Sequence, residues 1–220
     1  MHIKSDDLSV GEGVYEALRR DIIFGRLAPS EKLKLDTLKS DYGASIATIR
    51  EALNRLATEG FVTTQEQRGF HVAPMSASEL REIADLRILL ECHALKLSFE
   101  AGDTEWEAQV VASHHKLSRM EERMKAGDHS VIEMWKQYDW EFHQALIRAC
   151  GSAALLEIHG TVFDKYLRYQ MRTLTFRGDD AAAEHRQLRD SAMNRDVKSA
   201  QSVLKTHIEG GVEHSLSQTG

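Results

Sequence analysis

The sequence is poor in cysteine and proline and has no long apolar run. Its two cysteines, Cys92 and Cys150, stand apart and in no paired motif, so free buried thiols are expected rather than a disulfide or a zinc knuckle. No apolar run approaches the roughly 20 residues that a membrane-spanning helix needs, and the first residues do not resemble a signal peptide. These absences argue against membrane proteins and disulfide-rich secreted proteins, and they predict a cytoplasmic chain that does not bind a membrane.

An excess of positive charge is also missing. The chain has 28 Lys and Arg residues against 34 Asp and Glu residues, which gives a formal net charge of −6 at pH 7. Residues 1–75 contain ten basic and eleven acidic residues. Any affinity for an anionic partner must therefore come from locally placed cations and from the pairing of two identical chains in a homodimer.

Residues 45–58 have the pattern of an amphipathic helix with a polar outer face. Ser45 is a good N-cap, and the apolar residues at 46, 49, 53 and 56 recur at helical spacing, so they are predicted to face inward. The remaining faces carry side chains that suit contacts in a major groove, namely Thr48, Arg50, Glu51, Asn54 and Arg55.

After Gly60 the apolar period changes from that of a helix to that of a strand. Residues 61–64 and 70–72 are predicted strands, joined by a turn at 66–69. Arg68 and Gly69 lie at the tip, where a cation beside a glycine can approach a phosphate backbone or a narrow minor groove. An ordinary helix and hairpin in an unrelated small domain would have the same pattern, so the preceding segment has to decide between the two.

The preceding segment predicts two further helices. Apolar residues at 14, 18, 22 and 23 indicate a first helix, a turn follows at 25–33, and residues 35–42 form a short second helix. Only Gly43 and Ala44 separate this helix from the N-cap of the next. Two helices joined by a tight turn that contains glycine are typical of a helix-turn-helix, and the hairpin makes it a winged one that binds double-stranded DNA.

These residues resemble the GntR superfamily of bacterial transcription regulators. The matching segments are GRLAPSEKL, the Tyr-Gly-Ala-Ser turn, TIREALNRLATEGFV and QRGFHV, within residues 11–74. The sequence departs from the family at Ile46 and Asp36, where relatives often carry basic residues. The residues predicted to contact DNA are Lys34, Ser45, Thr48, Arg50, Asn54, Arg55, Arg68 and Gly69.

Pro74 follows the last predicted strand and marks a domain boundary. We predict a DNA-binding domain at 1–74 and a second domain at 75–220. In the second domain, helical periodicity dominates, and pairs such as Gly127 with Asp128 separate about six segments. The predicted fold is therefore mainly α, with an N-terminal winged helix-turn-helix and a C-terminal all-α bundle.

Four potential metal ligands occur in the predicted bundle. Asp139 and His143 are four residues apart and share one face of a helix, and His185 and His207 suit two antiparallel helices. Three imidazoles and one carboxylate suit Zn²⁺, Ni²⁺ or another divalent ion. Each residue taken singly is equally compatible with an ordinary surface or core position. His114 and His115 are interpreted as a solvated or dimer-facing pair.

Residues 77–216 resemble the FCD effector-binding domain of the FadR subfamily, and six helices rather than seven resemble its VanR-type branch. The resemblance rests on Asp139 with His143, on Glu184 with His185, on the Arg-Asp pair at 195 and 196, and on His207. It implies that Asp139, His143, His185 and His207 hold a divalent metal, most commonly zinc.

A metal with one anionic protein ligand retains about one positive charge, which favours a carboxylate as effector. Arg87 and, as a second candidate, Arg172 offer a guanidinium for another acid oxygen, although Arg87 also suits an ordinary ion pair with Glu91. Trp135 and Trp140 are interpreted as core or interface aromatics, with pocket lining as the alternative. The segment GDTEWEA resembles regulators of five-carbon dicarboxylate catabolism, which implies glutarate or 2-hydroxyglutarate.

The predicted function is that of a dimeric repressor that binds a palindromic operator and is released by such an acid. One alternative is a structural metal without an effector. Another is a metal-dependent hydrolase, for which Glu184 is the candidate base. Adjacency to His185 does not place Glu184 at the metal, because neighbouring helical residues point in different directions.

Overall fold

The computed structural model describes residues 9–65, 69–173 and 176–218 of the chain. Most of these residues are helical. The elements in chain order are α1 Val10–Ile23, β1 Lys32–Leu33, α2 Leu35–Tyr42, α3 Ile46–Thr58, β2 Val62–Gln65, β3 Gly69–Val72, α4 Ala77–Ala101, α5 Thr104–Lys125, α6 Ile132–Ile147, α7 Ala153–Thr173, α8 Asp179–Met193 and α9 Val197–Ser217. Short 3₁₀ helices at His129–Val131 and Arg148–Cys150 flank α6.

The helices and strands form two compact units. The first contains the described residues up to Ser76 together with Leu167–Arg172, and the second contains Ala77–Tyr166 and the described residues from Thr173 onward. The first is a winged helix-turn-helix, and the second is a bundle of helices, as the sequence predicts. Within the described part of the chain, no helix combines the length and the apolar character that crossing a bilayer requires.

The helix-turn-helix is defined by how α2 ends and how α3 begins. Gly43 ends α2 in the left-handed conformation, with φ 62°, which a residue with a side chain rarely adopts. The Ser45 hydroxyl then accepts a hydrogen bond from the Thr48 N–H (3.1 Å) and caps α3. Ile49 and Leu53 on the inner face of α3 are fully buried, so the sequence pattern correctly orients most of this helix.

The wing contains one strand more than the sequence predicts. β2 and β3 pair antiparallel with Val62 opposite Val72, and β1 adds to the other edge of β3 with Leu33 opposite Phe70. The sequence analysis assigned β1 to a turn, because two residues are too few to show a strand period. Arg68 and most of the predicted turn lie outside the described residues.

Ile46 differs from its predicted orientation. It was expected on the inner face of α3, but its side chain is 37% exposed. As the first residue of the helix, it lies before the turn that packs on the core, and Ala52 completes the buried face instead. The start of α3 therefore presents an apolar side chain to solvent.

The second unit contains α4 to α9, except for Leu167–Arg172 of α7, which agrees with the prediction of about six helical segments. Asp103 caps α5 by accepting from the Trp106 N–H (2.9 Å), and Asp196 caps α9 by accepting from the Ser199 N–H (3.0 Å). α6 packs against α5 and α4, and α9 packs against α4 and α8. Cys92 is half-buried and Cys150 is buried, and both thiols are free.

Candidate functional site

The four predicted metal ligands meet inside the second unit. Asp139 and His143 come from α6, His185 from α8 and His207 from α9, and each offers one ligand atom within 4.8 Å of the other three. All four residues are buried. Ligands of one tetrahedral zinc ion are separated by about 3.4 Å, since each lies about 2.0–2.1 Å from the metal. A small contraction of the cluster would bring its ligand atoms to that spacing.

Each histidine of the cluster donates a hydrogen bond to its own carboxylate. The Nδ1 atoms of His143, His185 and His207 lie 2.9, 2.6 and 2.7 Å from an oxygen of a glutamate, and these three outer carboxylates are Glu91, Glu121 and Glu184 respectively. An ionised carboxylate only accepts, so His185 and His207 carry a proton on Nδ1, while Nδ1 of His143 lies between the Glu91 carboxylate and the Nη2 atom of Arg87, 3.1 Å away. Nε2, on the opposite side of each ring, is then the nitrogen left to bind a metal ion.

Two of these Nε2 atoms are buried without a hydrogen-bond partner among the residues that the structure describes. They belong to His143 and His185. The Nε2 of His185 lies 3.2 Å from Oδ1 of Asp139, yet the alignment is not that of a hydrogen bond. Buried nitrogen atoms without partners are costly, and a shared divalent ion would satisfy both. The residues present therefore fit a metal such as Zn²⁺ or Ni²⁺.

The protonation of the histidines is consistent with this fit. Burial lowers the pKa of His143, and burial lowers that of His207 to about 3, so both rings are neutral and suited to bind a cation at neutral pH. Burial also opposes charge on His185, but the carboxylates of Asp139 and Glu121 outweigh it and raise the His185 pKa to about 9. The cluster thus favours one positive charge at its centre, either a proton or a metal ion.

The sequence analysis missed Glu121, and it named Glu91 and Glu184 without predicting that they contact the histidines. We predict that Glu121→Gln lowers zinc affinity by about 10–100-fold, because the amide is a weaker acceptor for His185 and leaves the ring less basic. Competition with a chelator of known zinc affinity measures the change. Glu122→Gln, at an exposed position of the same helix, is the control. Unchanged zinc affinity in Glu121→Gln would contradict the role of Glu121 as a hydrogen-bond partner that supports His185.

Arg87 lies close to the cluster but is fully engaged. Its guanidinium forms a buried ion pair with Glu91 and lies 4.2 Å from the ring centroid of Phe163 and 4.8 Å from that of Tyr166. The Nε2 of His159 is 2.8 Å from the same carboxylate. The ordinary ion pair with Glu91, which the sequence left open, is therefore the arrangement observed.

The other effector candidate and the candidate base have different surroundings. Arg172 is exposed near the end of α7 and is grouped with the first compact unit. Glu184 accepts from His207 and from both terminal nitrogens of Arg177, at 3.1 and 2.8 Å. These bonds make Glu184 a positioning group for His207. His114, expected at the surface, is buried against Phe142.

Several of the residues that are predicted to contact DNA have exposed side chains. Arg50 and Asn54 are exposed, as is Lys34 at the N-cap of α2, and Thr48 is partly exposed. Ser45 is exposed, but its hydroxyl caps the helix. Gly69 opens β3 with φ 82°, a conformation that favours glycine at the wing. Arg68 beside it lies outside the described residues.

Arg55 contacts other residues of the first unit. Its Nη1 lies 2.7 Å from Oε2 of Glu12, and its guanidinium carbon lies 3.6 Å from the ring centroid of Tyr15. A second ion pair joins it to Glu59. Through these contacts Arg55 joins α3 to α1.

A winged helix-turn-helix and a helical domain with a buried histidine cluster define a DNA-binding transcriptional regulator. Residues 10–72 match the family model described as bacterial regulatory proteins, gntR family, and residues 82–210 match the FCD domain. The chain belongs to the GntR family of bacterial transcription regulators and carries an FCD domain.

Relatives are similar along nearly the whole chain. A Paraburkholderia xenovorans (strain LB400) protein named "Uncharacterized HTH-type transcriptional regulator BphR" is 41% identical over 93% of this chain and 84% of its own length. The HTH-type transcriptional repressor GlaR of Escherichia coli (strain K12) is 35% identical over 88% of this chain and 90% of its own. These relatives are regulators rather than enzymes, so the hydrolase alternative is not supported.

Solved structures have the same fold. The E. coli protein McbR/YncC superposes with a TM-score of 0.82 over 97% of this chain and all of that one, at 19% identity. A GntR regulator from Rhodococcus sp. RHA1 superposes with a TM-score of 0.76 at 21% identity. At these identities the likeness concerns the fold alone, and it agrees with the two domains found here.

Proposed function

We propose that this regulator is a cytoplasmic, homodimeric repressor whose FCD domain holds zinc or another divalent ion and senses a small carboxylate. The observation that carries the proposal is the pair of buried Nε2 atoms of His143 and His185, each without a hydrogen-bond partner among the described residues although the opposite side of each ring contacts a glutamate. We assign Asp139, His143, His185 and His207 as the metal ligands.

An acid is inferred as the effector from the charge that the metal and its protein ligands would have. A divalent ion that has Asp139 as its single anionic protein ligand keeps about one positive charge, and four protein ligands leave positions open at coordination numbers of five or six. The ion would supply those positions and a positive charge for a carboxylate oxygen. Glutarate and 2-hydroxyglutarate are the first acids to test.

The DNA-binding activity is inferred from the winged helix-turn-helix. Arg50 and Asn54 are exposed on α3 and carry the side chains that read guanine and adenine in a major groove, with Lys34 and Thr48 as further contacts. Since residues 1–75 have no net positive charge, one domain alone has little electrostatic affinity for DNA. A homodimer on a palindromic operator doubles these contacts.

The test is a gel-shift titration of the zinc-loaded full chain on DNA from upstream of its own gene. We expect glutarate or 2-hydroxyglutarate to release the DNA, and prior removal of the metal to abolish the response to acid. Arg50→Ala should weaken DNA binding by about 5–150-fold, the range for loss of a two-pronged base contact. Arg119→Ala, exposed on α5, is the control.

The outcome also decides between a sensor and a purely structural metal. A structural ion predicts unfolding on chelation together with no change of melting temperature when any organic acid is added. That result would overturn the sensing part of the proposal. Strong DNA binding by a monomeric form at physiological salt would contradict the need for a dimer.

A further inference from the structure

Ile46 is an exposed apolar residue at the start of α3, the helix that carries the proposed base contacts. Its side chain is 37% exposed, whereas Ile49 and Leu53 on the inner face of the same helix are fully buried. Ala47, the next residue, is exposed as well. Single exposed apolar side chains are common on protein surfaces, so the meaning of this one depends on its surroundings.

The polar groups beside Ile46 are bonded to one another. The Ser45 hydroxyl accepts from the Thr48 N–H, and the two hydroxyls of Ser45 and Thr48 lie 2.9 Å apart. Cγ2 of Thr48 lies 4.0 Å from the position that a β-carbon on Gly11 of α1 would take, so its methyl group faces α1. At this turn Ile46 and Ala47 are thus the exposed residues whose side chains are purely hydrocarbon.

Arg50 indicates what Ile46 would meet in a complex with DNA. It is exposed and lies four residues after Ile46, so the two side chains share one face of α3, with β-carbons about 5–6 Å apart. Nucleotides of one strand advance about 3.4 Å along the duplex, so Ile46 would lie within about two base pairs of a guanine bound by Arg50. In the major groove, the apolar group that distinguishes one base is the C5-methyl group of thymine.

We propose that Ile46 recognises a thymine in each half of the operator by packing against its C5-methyl group. The inference rests on the DNA-binding part of the proposed function, and it adds one element of the operator sequence: a thymine within about two base pairs of the guanine that Arg50 contacts. Because the contact involves no charge, it discriminates between bases without adding to the salt dependence that phosphate contacts cause.

Replacing thymine by uracil tests the inference, because the two bases differ only in the C5-methyl group. Gel-shift titrations use the zinc-loaded full chain and DNA from upstream of its own gene, after footprinting has located the two half-sites. Uracil is placed at the same position of both half-sites, one position at a time. At the thymine beside Ile46 we expect the affinity to fall about 10–20-fold, since each buried methyl group contributes about fourfold and the homodimer loses two.

Variants of Ile46 show whether this residue is the cause. Ile46→Ala should bind the thymine and uracil forms equally, and Ile46→Val, which loses only the terminal methyl group, should keep most of the difference. Val111→Ala, at an exposed position of α5, is the control and should keep all of it. The inference is overturned if uracil has no effect at any position, or if Ile46→Ala responds to uracil as the unaltered protein does or binds no DNA at all. If the unaltered protein binds neither form, the proposed function fails as well.

Discussion

Replacing His185 with alanine is expected to lower the affinity for zinc by more than the roughly 10–100-fold that loss of an outer hydrogen-bond partner costs. The variant loses a nitrogen ligand, and it leaves Asp139 and Glu121 as buried carboxylates without their shared partner. The zinc content of the purified protein after dialysis, together with a chelator competition, measures the effect.

The control for this experiment is His115→Ala, which removes an exposed imidazole from α5. A second measurement follows the unfolding of the unaltered protein with and without a chelator. Zinc at 1,000 times its dissociation constant adds about 4 kcal/mol to the free energy of unfolding, provided that the unfolded chain does not bind it. Stoichiometric zinc retained by His185→Ala would rule out this residue as a ligand.

Arg87→Ala is expected to destabilise the second unit by about 3–5 kcal/mol. The guanidinium is 1% exposed and pairs with Glu91, whose pKa is held well below its ordinary value by Arg87 and the nearby histidines although burial alone would raise it. Removing Arg87 leaves that charge buried with less compensation. The three tryptophans, at 106, 135 and 140, all lie in this unit, so urea unfolding followed by tryptophan fluorescence reports on it directly.

A double variant separates the charge effect from the loss of packing. Arg87→Met with Glu91→Gln removes both charges and keeps an acceptor near His143, so it should recover part of the lost stability. Arg81→Ala, at an exposed position of the same helix, should change the free energy of unfolding by no more than about 0.5 kcal/mol. Equal stability of Arg87→Ala and Arg81→Ala would show that the buried pair contributes little.

The sequence was sufficient for the DNA-binding unit because its signals are local. Ser45, Gly43 and the spacing of Ile49 and Leu53 determine where the helices begin, end and face, and the structure agrees with each of them. The predicted orientation of a side chain was wrong where burial depends on the position of the residue within the helix rather than on the spacing of apolar residues. Ile46 matches the helical period, but its place at the first turn leaves it exposed.

The candidate metal centre was predictable only in part. The four ligand residues have distinctive chemistry, and two of them show it through a spacing of four residues. Glu121 has no such signal, because acidic residues are common on helix surfaces and only packing buries this one. Arg87 was found as a candidate, but the choice between effector contact and ion pair depended on a rotamer that spacing does not determine.

The arrangement of the cluster also has a consequence for synthesis. The candidate ligands come from α6, α8 and α9, so the first and the last of them are separated by about half of the second unit. During translation, Asp139 and His143 leave the ribosome well before His207 does, and a two-ligand fragment binds a divalent ion far more weakly than the full set. Uptake of the proposed metal would therefore be a late event in the maturation of the regulator, after α9 has been made and packed against α8.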